Sequence, residues 1–183
     1  MKRAIGLFEF KSIAKGIEVT DEILKSSHVT LISANPICPG KYISIVTGEV
    51  VAVTNAVETC RSIGGIYLIE AELISNVHQD VLPALTGTTD MELIDSVGII
   101  ETMSALNSIL VGDIALKAAN VRLLEIRLAR GLGGKGFTIL TGDLSSVERA
   151  VHAVKGQFLP MGDILYSTIV PKPHKDLVAK LFT

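Results

Sequence analysis

The chain has 183 residues, of which 48% are hydrophobic, 20% charged and 4% aromatic, with a formal net charge of −2. Such a balance gives no electrostatic basis for nucleic acid as a partner, and no apolar run approaches the ~18 residues of a membrane span. Two cysteines cannot make a disulfide framework, so a reducing, cytoplasmic setting is expected.

The N-terminus turns directly into a short apolar strand, Ala4–Phe10, containing Glu9, which argues against a secretory signal. Ile13, Ile17, Ile23 and Leu24 then recur near helical spacing, with Asp21 and Lys25 on a wetter face. The β-branched run Val29-Thr30-Leu31-Ile32 predicts a strand that leads into the loop Pro36-Ile37-Cys38-Pro39-Gly40, and Tyr42–Thr47 predicts the returning strand. Gly48-Glu49 opens a second helix, where an acidic residue suits the positive end of the helix dipole. Tyr67–Ile74 predicts a fourth strand, followed by a short helix after His78.

The same order then repeats. Ala4-Ile5-Gly6-Leu7-Phe8-Glu9 returns as Ser96-Val97-Gly98-Ile99-Ile100-Glu101, and Asp21 to Ser26 returns as Asp113 to Ala118. Gly40-Lys41 with Ile45 to Glu49 returns as Gly134-Lys135 with Ile139 to Asp143. Strands are therefore expected at Ser96–Thr102, at Val121–Leu124, at Phe137–Thr141 and at Ile164–Val170, with a helix carrying Ile109, Ile114 and Leu116. Thr86-Gly87-Thr88-Thr89-Asp90 is a polar break and the expected linker. Two α+β modules follow, 1–88 and 95–183, each with the β-α-β-β-α-β order of the ferredoxin-like arrangement. A module of roughly 90 residues buries only about two-thirds of its unfolded surface, so each is expected to lean on neighbours.

The copies disagree at one loop. Pro36-Ile37-Cys38-Pro39 stands opposite Arg130-Gly131-Leu132-Gly133, so one copy carries a thiol and the other carries glycines. Proline on both sides of Ile37-Cys38 restricts the backbone, and Gly40 permits a tight turn. Gly131 to Gly136 looks superficially like a phosphate loop. It lacks the first glycine of that pattern and leads into a strand, whereas phosphate loops lead into a helix N-terminus. Cys60 lies with Val53 and Val57 at helical spacing and reads as core, opposite Ala153 in the second copy. His78 and His174 follow the last strands of the two modules without metal-ligand spacing, and no Ser/His/Asp or paired-carboxylate constellation is recognisable.

The opening Gly-x-x-Glu strand, the Leu-Lys-Ser/Ala-x-x-Val helix end and Pro171-Lys172-Pro173-His174 resemble the bacterial microcompartment shell-protein domain, here twice in one chain. That resemblance implies a structural, non-enzymatic subunit of a microcompartment shell in the cytoplasm, a homotrimer of tandem domains forming a flat pseudohexamer among other shell proteins. Within the family, Pro36 to Lys41, Ser12 to Gly16 and Gly131 to Lys135 resemble the iron–sulfur-bearing shell proteins of propanediol-utilisation compartments. The resemblance then implies a central pore ringed by Pro36, Ile37, Cys38, Pro39 and Gly40 alternating with Arg130, Gly131, Leu132, Gly133 and Gly134. Cys38 from three subunits would hold a 4Fe–4S cluster for electron transfer or cluster delivery, with a redox enzyme of the lumen as partner. A cluster-free pore that conducts metabolites is the alternative. Lys25 and Lys117 match the family's edge lysine; Lys172 takes the place of the edge arginine, and Asn76 the corresponding place in the first module.

Overall fold

The structure, a computed structural model, describes residues 4–90, 93–129 and 131–181. They sort into two compact units, one within 1–77 and 130–134, the other within 78–129 and 135–183.

In the first unit the order is β1 (Ala4–Phe10), α1 (Ile13–Ser26), β2 (Thr30–Ile37), β3 (Lys41–Gly48), α2 (Val50–Gly64), a 3-10 turn and β4 (Leu68–Ile74). The sheet runs β2-β3-β1-β4, antiparallel throughout, with Phe8 opposite Ser44 and Ala71. β1 is central and buried along its whole length. Phe8 and Phe10, two apart on one face of the strand, pack with Val19, Ile23, Val57 and Cys60 from the two helices. Helix α1 approaches β3 closely at Gly16, where an added Cβ would stand 2.4 Å from the Tyr42 ring. Ser12 caps the helix by accepting from the Lys15 amide at 3.3 Å.

The apolar face expected for α1 is only partly the buried one. Gly16, Val19, Thr20 and Ile23 face the sheet, whereas Ile13, Ile17 and Leu24 are exposed. β-strand β2 is also longer than its β-branched core, because pairing with β3 continues through Pro36↔Tyr42 to Ile37↔Lys41. Pro36 and Ile37 thus belong to the strand rather than to the loop. Proline is tolerated there because β2 is an edge strand with no second ladder to feed.

The second unit contains α3 (Val81–Thr86), β5 (Ser96–Thr102), α4 (Asn107–Ala118), β6 (Arg122–Leu128), β7 (Gly136–Gly142), α5 (Leu144–Phe158), a 3-10 turn, β8 (Ile164–Val170) and α6 (Lys175–Leu181). Its sheet order, β6-β7-β5-β8, repeats that of the first. Asp143 caps α5 by accepting from the Ser146 amide at 2.9 Å. Helices α2 and α5 both begin two residues after a strand-ending glycine, which places Val154, not Ala153, at the position of Cys60. Both side chains are fully buried.

Packing and chain order divide the protein differently. Residues 78–88, expected to close the first module, belong with the second unit. The reason is apolar: Val81 and Ala84 of α3 are buried, and the helix packs on β6 and α4. The expected linker is folded onto that helix, with Gly87 as its left-handed C-cap and the Thr88 amide donating to Pro83 O at 3.0 Å.

Candidate functional site

Residues 38–40 form a three-residue turn between two paired strands. Ile37, at the end of β2, is buried and pins one side; Lys41 begins β3 on the other. Gly40 adopts φ +76°, the left-handed conformation that lets so short a loop close without strain. The Cys38–Pro39 peptide is cis. Cys38, Pro39 and Gly40 are all exposed, so the thiol stands at the tip of a hairpin rather than in a core.

Two interactions fix the base and flank of this turn. Lys41 Nζ donates to Glu9 Oε1 at 2.8 Å, and Glu9 is a central-strand carboxylate only 1% exposed. The pair thereby ties the start of β3 to the middle of the sheet. The second is Gly134, which packs within the first unit: a Cβ built there would lie 3.3 Å from the Cys38 carbonyl oxygen and 3.5 Å from Pro39 Cδ. Gly131, Gly133 and Gly134 all have positive φ, and the Ala129 amide donates to Lys135 O at 2.9 Å to close the loop. The structure therefore brings two of the divergent segments together, the cysteine turn and the glycine loop. Arg130, also expected in that loop, lies outside the described residues. Leu132 is half-buried.

Cys60 is chemically distinct. It is fully buried, and burial pushes its thiol pKa up to about 12 against a weaker opposing pull from Arg61. It stays a protonated, inert core thiol. Among the described residues no group of three or more His, Cys, Asp or Glu converges on one point. Of its two cysteines, a single chain thus presents one accessible thiol. Thiolate is the ligand that iron–sulfur clusters select, but one per chain meets only part of the usual four. The donor chemistry fits a cluster when several copies contribute one sulfur each.

The expected edge residues lie elsewhere. Lys25 is in the last turn of α1, exposed and paired with Asp21; Lys117 is at the equivalent place in α4, 2.5 Å from Asp113. Asn76 and Lys172 are exposed in the segments after β4 and β8, and Lys172 has a positive φ of 48°. A cavity of about 330 Å³ in the second unit, between α3, the 88–90 segment and β6, involves none of these residues. The Glu9–Lys41 pair and the Gly134 approach were missed from sequence. The repetition of Glu9 as Glu101 and of Gly40-Lys41 as Gly134-Lys135 was the only signal toward them.

Comparison with known proteins gives a consistent picture. The BMC domain model matches twice, over residues 4–77 and 96–173. The bacterial microcompartment shell protein PduT of Citrobacter freundii is 38% identical over 97% of this chain and 96% of its own length. A crystal structure of a microcompartment protein from Desulfitobacterium hafniense superposes with a TM-score of 0.91 at 40% identity, covering 97% of this chain and 98% of that one. The fused permuted hexameric shell protein MSM0275 of the RMM microcompartment shares the fold, with a TM-score of 0.64 at 24% identity over 87% of this chain and 85% of that one.

Proposed function

Since this chain belongs to the BMC-domain family and is a structural subunit of a bacterial microcompartment shell, we propose that three copies close into a flat ring and hold one iron–sulfur cluster at its centre on their Cys38 thiolates. The observation that carries this reading is the placement of Cys38. It is an exposed thiol on a short, strand-anchored turn in one module only, beside a glycine loop in place of a second thiol. Tandem modules give six such turns around a threefold axis and three sulfurs among them. Six would exceed what one cubane takes, and a lone sulfur falls short of it.

The chain's own contribution is positioning. Ile37 and the Glu9–Lys41 pair hold the two ends of the turn, Gly40 supplies its left-handed corner, and Gly134 leaves room against the Cys38 carbonyl. A 4Fe–4S cluster bound there would supply one-electron chemistry at the shell, with one iron lacking a cysteine ligand. Electron transfer across the shell, or delivery of the cluster to a redox enzyme of the lumen, is the role that follows. The resemblance of Pro36 to Lys41 to iron–sulfur-bearing shell proteins supports the same assignment.

Anaerobic purification followed by iron and sulfide analysis and electron paramagnetic resonance tests it. Iron and sulfide are expected in the wild type and lost in Cys38→Ser, with the ring intact. Iron-free protein after anaerobic reconstitution would leave a cluster-free pore for metabolites as the surviving reading.

A further inference from the structure

The two modules differ in which of their surfaces are covered. In the second unit α3 packs on α4 and β6, and the His78 amide donates to Asp113 Oδ1 at 2.8 Å. On those two elements Ile109, Leu116 and Leu123 are 0%, 8% and 1% exposed. Their equivalents in the first unit are Ile17 and Leu24 on α1 and Leu31 on β2, which are 53%, 36% and 39% exposed. Asp21, equivalent to Asp113, has a side chain 57% exposed against 7%. The first unit thus presents the same receptor surface, uncovered.

The matching ligand is helix α6. It follows β8 as α3 follows β4, yet none of its residues is buried, and Leu177 stands open where Val81 is covered. Its entry turn is already in the docked form. The Asp80 amide donates to His78 Nδ1 at 3.3 Å, and the Asp176 amide to His174 Nδ1 at 3.2 Å. The Leu177 amide donates to His174 O at 2.9 Å, as the Val81 amide does to His78 O at 3.1 Å. The copies diverge at one docking position, where Lys180 replaces the buried Ala84; a lysine stem covers apolar surface while its ammonium stays at the rim.

We propose that α6 of one copy docks on α1 and β2 of the next copy, with Leu177 covering Ile17, Leu24 and Leu31 and the His174 amide donating to Asp21. The occupant is a second copy of this chain, because the covering segment, its turn and its acceptor all recur within the chain. Receptor and ligand lie on different surfaces, so the contact is head-to-tail and closes only as a ring. The inference rests on the ring of three copies proposed above and supplies the contact that holds it.

Paired cysteines test the contact. In a Cys38→Ser background, Asp21→Cys with His174→Cys is oxidised and run on a non-reducing denaturing gel. A ladder ending at a covalent trimer and collapsed by reductant is expected. His78→Cys with Asp113→Cys, the equivalent pair inside one chain, should close without joining chains. A trimer by light scattering that gives no ladder would overturn this docking and leave the ring standing. A monomer at all concentrations would overturn both. Leu177→Asp, at a residue exposed in the single chain, gives a second readout. Loss of the trimer with unchanged circular dichroism is expected, and an unchanged trimer would contradict the contact. Neither readout depends on iron, so failure of the cluster reading is seen separately.

Discussion

Gly134 lies against Cys38 closely enough that a side chain on the glycine would meet the cysteine's own carbonyl oxygen at 3.3 Å. The two residues are far apart in sequence and occupy non-equivalent places in the repeat, yet they share one unit. The glycine loop therefore shapes the cysteine turn directly.

Gly134→Ala should consequently disturb the site. The residue has φ +92°, so any Cβ is strained, at a cost of about 1–2 kcal/mol, and the neighbouring turn must also shift. Gly131→Ala is the control, since its φ of +72° is likewise strained but its Cβ would meet nothing within 4 Å. Denaturant unfolding should show both losing stability, whereas only Gly134→Ala should lower iron content per chain.

The two thiols should separate by reactivity. With Cys38 exposed and Cys60 buried at a pKa of about 12, a thiol reagent at pH 8 should modify one cysteine in the iron-free native protein and both after denaturation. Mass mapping of the labelled peptide should find Cys38. Cys60→Ala should keep the cluster and cost about 1 kcal/mol for the lost core volume. Rapid native labelling of Cys60 would contradict its place in the core.

Lys41→Met should destabilise the first unit by about 2–3 kcal/mol, because it leaves the Glu9 carboxylate buried without its cation. Removing one partner of a fully buried pair costs roughly 3–5 kcal/mol, and the partial exposure of Lys41 reduces that. Chemical denaturation measures it, and Glu9→Gln combined with Lys41→Met should recover part of the loss.

The cap of α5 predicts a pH dependence. Hydrogen bonds from Ser145 and Ser146 hold the Asp143 carboxyl well below the usual carboxylate range. A depressed folded-state pKa stabilises the fold above the unfolded value near pH 4, and that contribution fades as pH falls through the folded value. The Tm of Asp143→Ala should therefore lie below that of wild type by a constant margin from pH 7 to about 5. The margin should narrow below about pH 4.

Much of this was legible in the chain. Short apolar and β-branched runs, each recurring in the second copy, marked the strands of both modules, because such runs are local features of the sequence. The reach of β2 through Pro36 was not, since an edge strand carries proline without a local signature. Nor was the allegiance of α3, whose Val81 and Ala84 are buried by elements later in the chain. Ile17 and Leu24 have the spacing of a core face, and sequence alone cannot distinguish a face buried within a chain from one open to another copy. At the candidate site, Cys38 and its prolines stood out by disagreement between the copies. The approach of Gly134 did not, because backbone proximity leaves no mark in residue type beyond the glycine itself.

The most direct test of the central claim is iron per chain in anaerobically purified protein, measured alongside oligomeric mass. Three Cys38 thiolates on one 4Fe–4S cluster predict about 1.3 irons per chain in a trimer, falling to none in Cys38→Ser while the trimer persists. Iron content unchanged by Cys38→Ser, or a trimer that stays iron-free after anaerobic reconstitution, would contradict it.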